Sequence, residues 1–263
     1  MPPIEITTPQ FVWASRRGDL RQWLLGGPDY SRAVEYPLAA RLAQLSSGGR
    51  LLDVGAGRQA EFADLLARRG AKVTAIDARE DVGADANRSL GIDFRRCDAR
   101  ELPFDDESFD AVTAISTIEH IPEGDDRAMA ELGRVLAPGG RLVVSVPYNP
   151  LKSADVYLRG EVYGRTGDRV FFEHVYDDDE LERRIVEPAG LPVVERVRLG
   201  EPGVRVSNFY YSPRGPLRAV RYRLPLGPLF GLAAPRFLRP VDAEAFEPDD
   251  WNGAAAVIVF TRR

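Results

Sequence analysis

Apolar and polar positions alternate with two different periods along the first part of the chain. Short apolar runs predict strands at residues 50–54, 72–76, 92–96, 111–115 and 141–146. Stretches with a helical spacing of apolar residues predict helices near residues 59–69, 79–90 and 124–137. Strands that alternate with helices are typical of a parallel sheet with helices on both faces, so the pattern predicts an α/β chain with a doubly wound sheet.

Two more strands are predicted in the last third of the chain. Acidic residues at 177–180 predict the start of a helix that ends near Pro188 and Gly190. The segment "LPVVERVRL" at 191–199 predicts the strand that follows this helix. The apolar segment "AAAVIVFTRR" at 254–263 predicts a last strand with no helix after it. A hairpin-like return to the edge of the sheet is the simplest placement for that strand.

The pattern divides the chain into four parts: an N-terminal helical cap at 1–48, a core at 49–199, an insertion at 200–250 and a final core strand at 251–263. The cap is rich in aromatic residues, which predicts folded helices rather than a disordered tail. The insertion is long for a connection between two strands, and between Leu217 and Pro240 it carries five arginines and no acid. We interpret it as a substrate lid, a homodimer contact or an element that rests on an anionic membrane, in that order.

Composition narrows the class of protein. The 263 residues carry a formal net charge of −5, which argues against a protein whose main task is to grip a nucleic-acid backbone. Cys97 is the only cysteine, so the sequence predicts no intrachain disulfide and no zinc cluster, and a reducing cytoplasm is expected. No metal ligand is assigned from the sequence. We expect neither secretion nor membrane spanning, because the first residues lack a leader pattern and no apolar run reaches about 18 residues.

A glycine turn ends the first predicted strand in the segment "DVGAG", residues 53–57. Gly55 and Gly57 are expected where the backbone comes close to a ligand and a Cβ atom would obstruct it. Asp77 ends the next strand about twenty residues later, where a carboxylate accepts hydrogen bonds from ribose hydroxyls. With Ala60, the turn also meets the glycine pattern of NAD-binding proteins, so an NAD-dependent oxidoreductase is one alternative.

Two further acids favour a different adenosine cofactor. Asp53 lies inside the first strand, where a charge is costly unless a cationic or donor partner compensates it. A ligand with a positive amino group supplies such a partner. Asp98 ends the third strand, where its carboxylate can read an adenine amino group or simply cap the following turn.

These residues together resemble the class I S-adenosylmethionine-dependent methyltransferases, in particular the small-molecule group. The resemblance covers residues 50–147 and rests on "DVGAG", an acid after strand two, "DA..LPF.D.SFD.V", "EHI" and "L.PGG.L..SVP". It implies a Rossmann-like, seven-stranded sheet with an antiparallel last strand. It also implies S-adenosyl-L-methionine as the cofactor. Many members have a third glycine where this chain has Gln59, which leaves the shape of the carboxylate pocket open.

Carried over by position, the resemblance implies ten residues that bind the cofactor. Asp53, Gly55 and Gly57 would contact the methionine part, and Asp77 the ribose. Asp98 and the Ala99 backbone would contact the adenine, and Ile115 and Ser116 would lie beneath the sulfonium and the methyl group. Ala56 and Ala78 complete the set of cofactor-binding residues.

Methyl transfer mainly requires that the acceptor be aligned and desolvated, and a base helps when the acceptor is a hydroxyl. His120 and Glu119 follow the fourth strand and are the catalytic candidates, with helix or loop capping as the alternative. Tyr36, Tyr148 and His174 are candidate substrate contacts, although a structural role is favoured for His174.

The sequence therefore predicts a cytoplasmic S-adenosylmethionine-dependent methyltransferase that acts on a small-molecule acceptor, with oxygen as the preferred atom. Nucleic acid is not an expected partner, whereas a homodimer and peripheral membrane contact stay open. The alternatives are the NAD-dependent oxidoreductase and a non-catalytic methyltransferase-like scaffold.

Overall fold

The computed structural model describes residues 2–16, 20–79, 91–211, 226–246 and 254–263. Strands within these residues are β1 (Arg50–Val54), β2 (Lys72–Asp77), β3 (Asp93–Arg96), β4 (Phe109–Ile115), β5 (Leu136–Pro147), β6 (Ala154–Val162), β7 (Arg165–Val175), β8 (Val193–Gly200), β9 (Arg239–Pro240) and β10 (Ala255–Thr261). Eight of them form one sheet in the order β3-β2-β1-β4-β5-β10-β8-β9, and β6 pairs with β7 in a separate two-stranded sheet.

The α/β, doubly wound fold is confirmed, and so is the antiparallel last strand. β1 to β5 pair in parallel, whereas β10 runs antiparallel to both β5 and β8. The seven predicted strands are all present, but the sheet has eight, because the two-residue β9 joins the edge beside β8. A strand of two residues carries no periodic pattern, so the sequence could not reveal it.

The helices are α1 (Thr8–Ala14), α2 (Leu20–Gly26), α3 (Arg32–Ala43), α4 (Glu61–Ala67), α5 (Asp125–Val135), α6 (Asp178–Leu181), α7 (Glu187–Ala189), α8 (Val206–Tyr211) and α9 (Gly227–Phe237), with a π-helical turn at Glu182–Val186 joining α6 to α7. The helix predicted near residues 79–90 lies almost wholly outside the described residues. The other predicted core helices are present, each with ends shifted by a few residues.

Two apolar cores lie on opposite faces of the sheet. Leu51 packs into the core under α1, α3 and α4, whereas its neighbour Leu52 packs into the core under α5 and the α6–α7 segment. Successive side chains of a strand point to opposite faces, so a central strand that is covered on both sides needs apolar residues at nearly every position. Leu51, Leu52, Val143 and Val144 are all fully buried for this reason.

The hairpin of β6 and β7 lies within residues 147–175, which the sequence pattern leaves unassigned. Its two-residue turn is formed by Tyr163 and Gly164, whose φ angles of 49° and 79° are both positive. Positive φ at both central residues is the geometry that tight hairpin turns favour, because its twist matches that of the strands. The turn reaches the carboxyl ends of the sheet strands, where it forms part of a cavity.

The N-terminal helices and the insertion pack together. A Cβ atom on Gly27 would lie 2.5 Å from the backbone of Gly227, so α9 crosses the end of α2 at a distance that only glycine permits. The Tyr210 hydroxyl donates a hydrogen bond to the Pro28 carbonyl at 2.9 Å. Arg218, Arg221 and Arg223, together with the rest of 212–225, lie outside the described residues.

Within the part of the chain that the structure describes, no helix has the length and apolar composition needed to cross a membrane.

Candidate active site

A cavity of about 1220 Å³ opens at the carboxyl ends of β1, β2, β3 and β4. This edge of a doubly wound sheet is where such folds bind their ligands. Of the ten residues expected to contact a cofactor, nine line the cavity: Gly55, Ala56, Gly57, Asp77, Ala78, Asp98, Ala99, Ile115 and Ser116. The tenth, Asp53, lies below the glycine turn and is 4% exposed.

The two glycines of the turn have different reasons for being glycine. Both have positive φ, 71° at Gly55 and 72° at Gly57. A Cβ atom on Gly55 would lie 2.2 Å from the Thr117 side chain, whereas a Cβ atom on Gly57 would meet nothing within 4 Å. Glycine is therefore required at position 55 because the side chain of Thr117, which follows β4, comes too close for a Cβ atom. At Gly57 the backbone faces the open cavity.

Asp77, the acid at the end of β2, is held in place by the glycine turn and by an arginine that follows β2. The Gly57 amide donates a hydrogen bond to Asp77 Oδ2 at 3.1 Å, which fixes the carboxylate against the glycine turn. The Arg79 guanidinium donates to both Asp77 oxygens, at 3.0 and 3.1 Å.

The end of β3 repeats this arrangement. Asp98 and Arg100 form the same paired contact, at 3.0 and 2.7 Å. Hydrogen bonds from Arg100 hold the pKa of Asp98 below its usual value. A ligand that uses the two acids therefore competes with, or shares, an arginine at each strand end.

Asp53 lies beside Thr113 of the neighbouring strand β4, and its carboxylate accepts a hydrogen bond from the Thr113 hydroxyl at 2.9 Å. Burial raises the pKa of Asp53 to about 7, and the hydrogen bond from Thr113 and the charge of Arg32 only partly oppose this rise. Because the protonated and ionised forms are then close in free energy near neutral pH, the charge below the glycine turn depends on pH.

Residues of α3 form the opposite wall of the cavity. Tyr36 and Arg32 both line it, as Tyr36 was expected to do. Arg32 forms an ion pair with Glu35, which is 3% exposed. Ser116, which follows β4, has an unusual φ of 45° and directs its hydroxyl toward Glu35 at 3.3 Å. Strained backbone of this kind persists only where the surrounding contacts hold it, and it is frequent at ligand sites.

His120 lines the same cavity at the end of a 3₁₀ turn, Ile118–His120. Its Nδ1 atom is 2.6 Å from the Phe172 carbonyl oxygen. A carbonyl can only accept, so Nδ1 carries the proton and Nε2 holds the lone pair. The Tyr163 hydroxyl, at 3.2 Å, donates to Nε2. Burial lowers the pKa of His120 to about 4, so the imidazole is neutral at neutral pH.

Glu119 is 1% exposed, and neither of its carboxylate oxygens accepts a hydrogen bond from another residue that the structure describes. Burial raises the pKa of Glu119 well above its usual value. Burial also raises the pKa of Glu173 on β7, to about 7, although the charge of Arg32 opposes this. One ligand atom from each of Glu119, His120 and Glu173 lies within 4.8 Å of the others.

Two predicted substrate contacts lie away from the cavity. Tyr148 is fully buried, and its hydroxyl donates to Asp178 at 2.6 Å and accepts from Arg198 at 3.0 Å. His174 is 7% exposed, with Nδ1 2.6 Å from Asp155. Tyr148 thus links the end of β5 to α6 and β8, and His174 links β7 to β6, which removes the geometric reason for a substrate contact.

Sequence reasoning missed several residues of the cavity region: Arg79, Arg100, Glu161, Tyr163 and Gly164 line the cavity, and Glu173 lies beside His120. The tripeptide Asp-Ala-Arg recurs at 77–79 and 98–100 and was a signal for the first two. The pair Tyr163-Gly164 between alternating segments was a signal for the hairpin turn. Glu173 has no local signal.

A family model described as a methyltransferase domain matches residues 52–144, which hold the glycine turn and the acids after β2 and β3. The matched segment ends inside β5, so the cap, the hairpin and the insertion lie outside it.

Two relatives match a longer part of the chain. The methyltransferase GfsG of Streptomyces halstedii is 37% identical over 174 residues, which are 60% of this chain and 58% of GfsG. The ubiquinone/menaquinone biosynthesis C-methyltransferase UbiE of Burkholderia mallei is 33% identical over 179 residues, which are 60% of this chain and 73% of UbiE. The chain thus spans less than two thirds of the length of GfsG.

Among solved structures, the [4+2]-cyclase SpnF has a TM-score of 0.56 and 23% sequence identity, and the alignment covers 100% of this chain and 99% of SpnF. At this identity the likeness concerns the fold, because one fold can host several reactions.

Proposed function

The chain belongs to the class I S-adenosylmethionine-dependent methyltransferases, and from this premise we propose that it transfers a methyl group to a hydroxyl oxygen of a small molecule. The observation that carries the choice of oxygen is the lone pair of His120 Nε2: His120 lines the same cavity as the cofactor residues, and the only hydrogen bond that Nε2 accepts within the described residues comes from the Tyr163 hydroxyl, which also belongs to this cavity. The names of the relatives state the activity of those proteins alone. The activity of this whole chain and its acceptor are therefore proposed here.

The cavity fits the cofactor. Open space at Gly57 lets a ligand approach the backbone of the glycine turn, and Asp77 presents a carboxylate to a ribose diol. Asp98 lies one strand further along the same edge, and its carboxylate is proposed to accept a hydrogen bond from the adenine amino group. The volume of about 1220 Å³ exceeds the roughly 300–1,000 Å³ of usual ligand pockets, so cofactor and acceptor have room together.

When bound, S-adenosylmethionine supplies a methyl group that is already activated by a sulfonium. The chain's task is then to align an acceptor oxygen with that methyl group, exclude water and remove a proton. We assign proton removal to His120 Nε2. The hydroxyl proton would go to Nε2 as the acceptor oxygen takes up the methyl group, and the bound cofactor would supply that methyl group and keep the electron pair of its carbon–sulfur bond.

The Phe172 carbonyl supports this role, because it holds the imidazole in the tautomer that leaves Nε2 free to accept a proton. Tyr36 and Arg32 form the opposite wall and are proposed to contact the acceptor, together with Tyr163 of the hairpin turn. The name of the UbiE relative records C-methylation in ubiquinone and menaquinone biosynthesis, so carbon is the second candidate acceptor atom.

The test is a screen of small phenols, hydroxyquinones and aliphatic alcohols with S-adenosylmethionine, followed by mass spectrometry and by NMR assignment of the methylated atom. With an acceptor in hand, His120→Gln should lower turnover by about 10²–10⁴-fold, because a positioned base contributes that much. S-adenosylhomocysteine affinity, measured by calorimetry, should change little. Turnover that survives His120→Gln would refute the base, and a C-methylated product would refute the choice of oxygen.

A further inference from the structure

Glu119, His120 and Glu173 form a compact group that we call the acid–histidine cluster. One ligand atom of each lies within 4.8 Å of the others, and Glu119 Oε1 is 3.8 Å from His120 Nε2. We propose that this cluster binds a divalent metal cation, with a carboxylate oxygen of Glu119, Nε2 of His120 and a carboxylate oxygen of Glu173 as its protein ligands. The proposal concerns ion binding and stands apart from the proposed methyl transfer.

Glu119 gives the first reason to expect an ion. It is 1% exposed, and no other described residue donates a hydrogen bond to either oxygen. Polar groups that are buried in proteins almost always have a partner, and a buried carboxylate without one is costly. The nearby cation Arg32 is already paired with Glu35. A dication would balance the two carboxylates of the cluster, as Arg32 balances Glu35.

The orientation of His120 gives the second reason. Histidines that ligate metals usually donate their other ring N–H to a backbone carbonyl or a carboxylate, which fixes the ring and its tautomer. The Phe172 carbonyl accepts this hydrogen bond at 2.6 Å, and Nε2 is left as the donor atom for a metal. The Tyr163 hydroxyl that donates to Nε2 would turn aside, and the Tyr163 side chain has room to do so because it is 41% exposed.

The cluster suits an ion better than an amino group of a substrate. His120 lines the cavity, whereas Glu119 and Glu173 are absent from its lining. A substrate in the cavity therefore reaches only one of the three groups, whereas an ion fits among all three. The three ligand atoms lie within 4.8 Å of one another. Small side-chain rotations would place each of them at the roughly 2.0–2.2 Å from a shared ion that nitrogen and oxygen ligands of zinc adopt.

Such an ion would join two segments that are far apart in the sequence. Glu119 and His120 belong to the 3₁₀ turn after β4, and Glu173 belongs to β7 of the hairpin. Two oxygen ligands and one imidazole suit Mn²⁺ or Zn²⁺. The ion would use the same lone pair as the proposed base, so ion binding and proton acceptance by His120 exclude each other.

The experiment uses the full chain after treatment with a chelator, without cofactor or acceptor. Mn²⁺ binding is followed by electron paramagnetic resonance of the free ion and by calorimetry, and Zn²⁺ is titrated in parallel. We expect one Mn²⁺ or Zn²⁺ per chain, an increase in the melting temperature on binding, and at least a tenfold loss of affinity in both Glu119→Gln and Glu173→Gln.

Glu161→Gln is the matched control, because Glu161 lines the same cavity outside the cluster, and it should bind the ion as the wild type does. Circular dichroism reports whether Glu119→Gln still folds, and the less buried Glu173→Gln decides the outcome if it does not. Absence of stoichiometric binding by the wild type would overturn the proposal, as would unchanged affinity in Glu173→Gln or a loss confined to Glu161→Gln. No methyl transfer is measured, so a failure to bind the ion would leave the proposed methyl transfer untouched, whereas a bound ion would occupy the lone pair that is assigned to the base.

Discussion

The two sides of the cavity are built in different ways. On the cofactor side, Gly57, Asp77 and Asp98 stand at the ends of adjacent strands, and each acid is paired with an arginine two residues further along. On the acceptor side, α3, the 3₁₀ turn after β4 and the hairpin meet, and burial shifts the pKa values of His120 and Glu173.

The difference separates recognition from chemistry. Strand ends place polar groups at fixed spacings, which suits a cofactor of constant shape. Segments that are distant in the sequence can change independently, which suits an acceptor that differs between relatives. The proposed acceptor side also holds the imidazole of His120, which burial keeps neutral and so able to accept a proton at neutral pH.

The largest expected effect is a loss of cofactor affinity on substitution of Asp77, which tests whether the cofactor binds on the side of the strand ends. Asp77→Ala removes the carboxylate proposed to bind the ribose diol, and we expect S-adenosylhomocysteine affinity to fall about 10²–10³-fold, since two charge-assisted hydrogen bonds are worth roughly 3–4 kcal/mol. Calorimetry measures this, and NAD should not bind the wild type. Asp93→Ala is the control, because Asp93 is an exposed acid of the adjacent strand that pairs with Arg95.

The opposite pattern of affinities would contradict this assignment of the two sides of the cavity. If Asp77→Ala kept its affinity while His120→Gln lost it, the cofactor would lie on the α3 side of the cavity. Binding of NAD instead of S-adenosylhomocysteine would favour the oxidoreductase alternative.

A second prediction compares the two glycines of the turn. Gly57→Ala should cost about 1–2 kcal/mol of unfolding free energy, since alanine is disfavoured at positive φ. Gly55→Ala should cost about 2–4 kcal/mol, because the new Cβ also collides with Thr117. Urea unfolding measures both. Equal losses of unfolding free energy in the two variants would mean that Thr117 moves aside. The close contact with Thr117 would then not be the reason for glycine at position 55.

A third and smaller effect concerns pH. The pKa of Asp53 is about 7 in the folded chain, above its usual value, so the folded state binds more protons than the unfolded state between about pH 4 and 7. Stability should therefore fall as pH rises through this range, by at most about 1.4 kcal/mol per pH unit from this one group.

Asp53→Asn should flatten this part of the profile of melting temperature against pH, because the amide does not titrate. Asp110→Asn is the control, since Asp110 is an exposed acid on β4 whose pKa is lowered by Arg50. A profile that keeps its slope in Asp53→Asn would place the proton on another buried acid.

What the sequence by itself determined is the cofactor side. The alternation of strands and helices predicted the sheet and its antiparallel last strand, and the strand ends gave nine residues that line the cavity. Strand periodicity is a local property of the sequence. A residue at the carboxyl end of a parallel strand therefore lies at the ligand-binding edge of the sheet, independently of how distant segments pack. Tyr148 misled because it also follows a strand, yet its hydroxyl turns to Asp178.

Only the tertiary structure decided the acceptor side. The tautomer of His120 depends on a carbonyl 52 residues away, and the cluster with Glu173 depends on a hairpin whose strands carry too many exposed polar residues to stand out in the pattern. The burial that shifts the pKa values of His120 and Glu173 arises from packing between these distant segments. Desolvation is a property of the assembled fold, and no spacing of residues along the chain encodes it.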